Sequence, residues 1–143
     1  MCIRDRYTSG SNTITGHTPA NPLNLPYNSG VISSASEFSG EPTPGIFAFT
    51  YGLIEIQALL PGNSGSWAGF AMYRLGTTAA PGGSGELDII ENGGGNQTTV
   101  YGSIHSSSGG QSVGVTVSDY TINRHIYACN WNSTTITWLV RCV

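Results

Sequence analysis

Glu86, Asp88 and Glu91 fall within six consecutive positions, Glu86-Leu87-Asp88-Ile89-Ile90-Glu91, and make up three of the chain's eight acidic residues. Their neighbours are β-branched or apolar, the composition of a buried strand. Along a strand successive side chains alternate faces, so Glu86 and Asp88 share one face while Leu87 and Ile89 point into a core. An odd offset of five then sends Glu91 to the apolar side. One extra residue absorbed as a β-bulge near Ile89 or Ile90 restores the phase and turns all three carboxyls into one groove. Carboxyls that close repel one another, and the repulsion is eased when one keeps a proton near neutral pH. A protonated acid beside a carboxylate is the pair used in glycoside hydrolysis, one for the leaving oxygen and one as nucleophile. Glu86 and Glu91 are the longest of the three and have the reach to converge. The plainer alternatives are a solvated acidic edge strand and a calcium site, because carboxylate oxygens also suit hard cations.

Short strands must position this trio. Ile54, Ile56, Ala58 and Leu60 alternate with Leu53, Glu55, Gln57 and Leu59 in a strand that ends at the turn Pro61-Gly62-Asn63-Ser64-Gly65. Ala68, Phe70 and Met72 then alternate with Trp67, Gly69, Ala71 and Tyr73, and the small residues leave room for a groove along the second face. The loop Thr77–Gly85 leads into the acidic strand, and Asn92-Gly93-Gly94-Gly95-Asn96 ends it. Strands are expected at Thr98–His105 and Val113–Val117, separated by a Ser/Gly-rich loop over Ser106–Ser112. Two more follow, one alternating His125, Tyr127, Cys129 and Trp131, the other placing Ile136, Trp138 and Val140 on one face. Residues 8–45 read as loop with a short strand near Val31–Ser34, because five prolines interrupt them. Many short strands with turns between them argue for two packed antiparallel sheets.

The 143 residues, 38% hydrophobic, suffice for one domain with a core. Charged residues make up only 9%, with five Arg and no Lys, which leaves no electrostatic footprint for nucleic acid or an anionic membrane and points to neutral partners. No apolar run approaches a membrane span. Cys2, Cys129 and Cys142 form an odd set without metal-ligand spacing, so they define no disulfide framework, and Cys129 reads as a small buried hydrophobe. Residues 1–7 are polar, carry two of the five Arg and lack the apolar stretch of a secretory signal, so they read as a non-native prefix to a partial domain over 8–143. Asn96-Gln97-Thr98 and Asn132-Ser133-Thr134 are glycosylation triplets of a kind that chance supplies in an Asn/Thr-rich chain.

In order, Tyr51-Gly52-Leu53-Ile54-Glu55, Ser66-Trp67-Ala68-Gly69-Phe70-Ala71-Met72, Gly85–Glu91, His125–Trp131 and Ile136–Val140 resemble the family 16 glycoside hydrolases, specifically laminarinase-like endo-β-glucanases. The resemblance implies an all-β, concanavalin-like jelly-roll sandwich, here partial, that acts as a retaining endo-β-glucan hydrolase on β-1,3 or mixed-linkage chains. It makes Glu86 the nucleophile, Glu91 the general acid/base and Asp88 the residue that orients and tunes the nucleophile. Glu91, flanked by like charges and walled by Ile90 and Asn92, is the better candidate to hold the proton. The match departs from the family at Ala68 and Ala71, where Pro and a second Trp are frequent, at Asn130, where an acidic residue is frequent, and at Arg141-Cys142-Val143, in place of an Asp-Gly turn. Family catalytic domains are appreciably longer.

A glycan groove needs aromatic platforms beside hydrogen-bonding groups, and Trp67 and Trp131 are candidate sugar-binding residues, although a Trp in a sandwich is as often core. Trp138, in phase with Ile136 and Val140, reads as core. His105 ends the strand after the acidic one and is a candidate partner of the acid/base or substrate. His17 and His125 are given no role, and Arg74 reads as a surface residue. The expected partner is a β-glucan or related neutral polysaccharide met by a monomer, with no metal at the site and no cofactor required, while a structural calcium ion has no placeable ligands. The substrate class implies an extracellular protein. Transglycosylation is a close relative of hydrolysis, a non-catalytic lectin-like sandwich is the reading from another class, and an inactive fragment is the third.

Overall fold

The structure is a computed structural model that describes residues 49–74, 85–96 and 98–143. These residues form seven strands: β1 Gly52–Ala58, β2 Trp67–Tyr73, β3 Glu86–Gly93, β4 Thr99–Ser106, β5 Gly109–Thr116, β6 His125–Trp131 and β7 Ile136–Cys142. All pair antiparallel, in a three-stranded sheet ordered β1-β6-β7 and a four-stranded sheet ordered β2-β3-β4-β5. Among the described residues the chain therefore passes from β1 in the first sheet to the four strands of the second, and returns to the first with β6 and β7. Among the described residues there is no helix. This is the expected all-β jelly-roll sandwich.

Alternation decides what lies between the sheets. In the three-stranded sheet Ile54, Cys129 and Trp138 stand in one row and Ile56, Tyr127 and Val140 in the next, all facing inward. In the other sheet Leu87, Ile89, Ile90 and Val100 are buried, with Phe70, Met72 and Ile104 packed against them. These inward rows form one core, as two sheets with one apolar face each require. Cys129 is fully buried and burial pushes its thiol pKa up, in keeping with a small hydrophobe. Cys142 is exposed, and both cysteines are free thiols.

Trp138 ties the sheets together. Its indole Nε1 donates a 2.8 Å hydrogen bond to the backbone carbonyl of Asp88 on β3. The ring lies against β4 at Gly102, where an added Cβ would come 2.0 Å from Trp138 Cδ1. The close approach of indole to backbone is what requires glycine there.

One expected loop is a strand. Ser106–Ser112 mostly belongs to a tight hairpin, in which β5 begins at Gly109 with φ of 114° and pairs along its whole length with β4. The segment Gly109-Gly110-Gln111-Ser112 lacks the β-branched residues that mark strands. It is held by backbone pairing and by small side chains that fit beneath β4's rings, neither of which local propensity reports. The prefix 1–7, Cys2, the strand expected near Val31–Ser34 and most of the loop Thr77–Gly85 lie outside the described residues.

Candidate active site

The register of β3 contains the expected irregularity. Against β2, Ile90 pairs with Phe70 and Asp88 with Ala71, so Ile89 is the extra residue. Against β4, Asp88 pairs with Ser103 and Glu91 with Tyr101, three residues opposite two. Leu87, Ile89 and Ile90 are buried in the core cluster, and the bulge lets β3 place both isoleucines inward while Glu91 rejoins the face of Glu86 and Asp88.

Direct pairing carries that face across the sheet, because opposite residues share a side. One row holds Tyr73, Glu86, His105 and Gly110; the next Ala71, Asp88, Ser103 and Ser112; the third Gly69, Glu91, Tyr101 and Gly114. Gly69 and Ala71 keep the β2 side low. Trp67 stands at the start of β2, opposite Gly93 and 73% exposed.

Each carboxyl has partners. Trp67 Nε1 donates to Glu91 Oε1 at 3.1 Å, and Ser103 Oγ donates to Glu91 Oε2 at 3.5 Å. Ser112 Oγ donates in turn to Ser103 Oγ at 2.9 Å. His105 Nε2 lies 3.1 Å from Asp88 Oδ2. The Tyr73 phenol hydrogen-bonds to Glu86, and burial, that bond and the three nearby carboxylates raise its pKa. The end of β3 is pinned from behind: buried Asn92 donates to Thr99 O at 2.9 Å, and Tyr120 OH donates to Asn96 O at 2.7 Å and to Asn92 Oδ1 at 3.1 Å.

Asp88 is only 1% exposed, and its pKa is raised to about 6 from 3.8. Burial is the largest cause, followed by the charges of Glu91 and Glu86, with His105 opposing them. The carboxyl of the trio that burial and like charge raise toward neutral pH is thus Asp88, its deepest member.

Asp88, Glu91 and His105 also bring ligand atoms within 4.8 Å of one another. They do not fit calcium, which takes about six to eight oxygens, since one of the three is an imidazole and both Glu91 oxygens already accept hydrogen bonds.

Of the candidates from sequence, Glu86, Asp88, Glu91, Trp67 and His105 come together on this face. Trp131 does not. It lies on the inward side of β6 in the other sheet, packed against the core and edge-on to Tyr51 with ring centroids 5.1 Å apart. Its alternation with Tyr127 and Cys129 put it in the core phase, so it is corrected from sugar platform to core residue. Tyr73, Tyr101, Ser103 and Ser112 were missed. The signal lay in the pairing: with the bulge fixed, the residues opposite each carboxyl follow by counting along β2, β4 and β5.

Residues 8–141 match the model of the Glycosyl hydrolases family 16. A beta-glucanase of Rhodothermus marinus is 32% identical over 108 residues, 68% of this chain and 37% of that protein. The endo-1,3-1,4-beta-glycanase EglC of Rhizobium meliloti is 30% identical over 116 residues, 78% of this chain and 22% of that protein. Among solved structures, the laminarinase from Rhodothermus marinus superposes with a TM-score of 0.59 at 31% identity, over 68% of this chain and 42% of that one. The laminarinase catalytic domain from Thermotoga maritima gives 0.59 at 30% identity, over 67% and 42%. The chain thus spans less than half the length of these relatives.

Proposed function

The chain belongs to glycosyl hydrolase family 16, and from that premise we propose that its acidic face cleaves a β-glucan internally, at β-1,3 or mixed linkages, with retention of configuration. The observation that carries this reading is the β3 bulge at Ile89, which sets Glu86, Asp88 and Glu91 on one face. Relatives described as a beta-glucanase, an endo-1,3-1,4-beta-glycanase and laminarinases support the substrate class.

In the first step Glu86 attacks the anomeric carbon, the bond from that carbon to the glycosidic oxygen breaks, and Glu91 delivers its proton to the departing oxygen. In the second, water adds to the same carbon, gives a proton back to Glu91, and releases Glu86 from the ester. Tyr73 holds Glu86. Trp67 and Ser103 fix Glu91 between two donors, so its orientation is set before a sugar arrives. Asp88, bonded to His105 and holding a proton more tightly than an ordinary aspartate, limits the negative charge that Glu86 faces.

Glu86→Gln tests the reading. Laminarin or mixed-linkage glucan hydrolysis by the chain should fall by at least about 10³-fold, since nucleophile and ester are both lost. Hydrolysis at the parent rate by Glu86→Gln would contradict it.

A further inference from the structure

Three rings on the acidic face share one arrangement. Trp67 stands opposite Gly93, His105 opposite Gly110 and Tyr101 opposite Gly114. A Cβ at these glycines would come 3.3 Å from Trp67 Cζ3, 3.3 Å from His105 Nδ1 and 3.1 Å from Tyr101 Cε1. Each ring therefore lies across the neighbouring strand, on ground that any larger residue would raise. Trp67 holds Glu91 and His105 contacts Asp88. Tyr101 holds neither carboxyl. It is 39% exposed, and its hydroxyl makes no hydrogen bond among the described residues.

Resting on the glucanase reading above, we propose that Tyr101 is a sugar platform that carries one glucosyl unit beside Glu91, with Gly114 as the bed that lays its ring flat. The row Gly69-Glu91-Tyr101-Gly114 crosses the sheet at right angles to the strands. A neutral polymer lying across the strands passes over low ground at Gly69, reaches Glu91, and meets the Tyr101 ring next. Pyranose rings present apolar C–H faces, and a flat exposed aromatic offers the complementary surface while its hydroxyl stays free at the rim. The platform stands on β4 and β5, on the opposite side of Glu91 from Trp67, so the sugar chain is held on both sides of the acid/base.

The test uses the whole chain made silent by Glu86→Gln and titrated calorimetrically with laminari-oligosaccharides. Adding Tyr101→Ala should weaken binding at least tenfold, whereas Tyr101→Phe should stay within threefold because the face is kept. Gly114→Val retains the tyrosine but lifts its ring, and it too should weaken binding about tenfold. Unchanged circular dichroism accompanies each comparison, and Tyr101→Leu, which keeps apolar bulk without a flat face, should behave like Tyr101→Ala. Binding within threefold of the silent parent by Tyr101→Ala, or by Gly114→Val, overturns this proposal alone. Absence of binding by the silent parent overturns the glucan reading and this inference with it.

Discussion

Replacing Gly102 by alanine tests how the bulge is held from behind. The new Cβ would sit 2.0 Å from Trp138 Cδ1, 2.2 Å from Nε1 and 2.4 Å from Cγ. Ordinary carbon contacts need about 3.5–4.0 Å, so the indole must retreat by roughly 1.5 Å. Its 2.8 Å hydrogen bond to Asp88 O does not survive that movement. Gly102 has no positive φ, so its backbone accepts alanine without strain and any loss comes from the ring. Overpacking costs about 1–3 kcal/mol and an abandoned buried carbonyl about 1–3 more, against roughly 0.5–1 gained because alanine loses less chain entropy. The expected net loss is about 1–5 kcal/mol, read as a lower urea midpoint by far-ultraviolet circular dichroism. In a Trp138→Ala background the same substitution should be close to neutral, since the clashing atoms are gone. A Gly102→Ala protein within about 0.5 kcal/mol of the parent would refute the close fit of indole, Gly102 and the β3 backbone.

Asp88 gives a pH prediction. Its folded pKa, raised to about 6 from 3.8, means that the folded state binds this proton more tightly than the unfolded chain. The resulting stability is complete below about pH 4 and is lost as pH climbs through about 6. Asp88→Asn removes that loss, so its stability relative to the parent should rise by up to about 3 kcal/mol between pH 4 and pH 7, and a flat difference would contradict the raised pKa. Ser103→Ala removes one of the donors to Glu91, and glucan turnover should fall about 3–10-fold with KM little changed and partial recovery in Ser103→Thr. Tyr120→Phe strips a buried hydroxyl from Asn96 O and Asn92 Oδ1 and should cost about 1–3 kcal/mol in chemical denaturation.

The acidic trio was legible because its phase was wrong for a regular strand. Glu91 at an odd offset from Glu86 left a bulge as the way to keep two isoleucines inward and three carboxyls outward, and β3 has that bulge. The inward rows of β6 and β7 were equally legible, since His125, Tyr127 and Cys129, then Ile136, Trp138 and Val140, alternate cleanly. Trp131 shows the limit of residue type as a guide: an indole suits a sugar and a core alike, and here its phase with Cys129 decides. Val113–Thr116 was legible as strand, but the first half of β5, Gly109–Ser112, was hidden because strand propensity rewards bulky branched residues, whereas this half is suited to what lies on it. Gly110 and Gly114 make room for rings belonging to β4, a requirement that exists only after pairing. Tyr101 and Ser103 were hidden for the same reason, because each gains its meaning from the residue across the ladder.

The most direct measurement is covalent. Incubating the chain with a 2-deoxy-2-fluoro laminaribiosyl fluoride, which forms the glycosyl ester but releases it slowly, and mapping the peptides by mass spectrometry reports which carboxyl attacks. The proposed centre predicts a disaccharide-sized mass increase on Glu86, abolished in Glu86→Gln. Labelling of Asp88, Glu91 or a residue outside this face in place of Glu86 would contradict it.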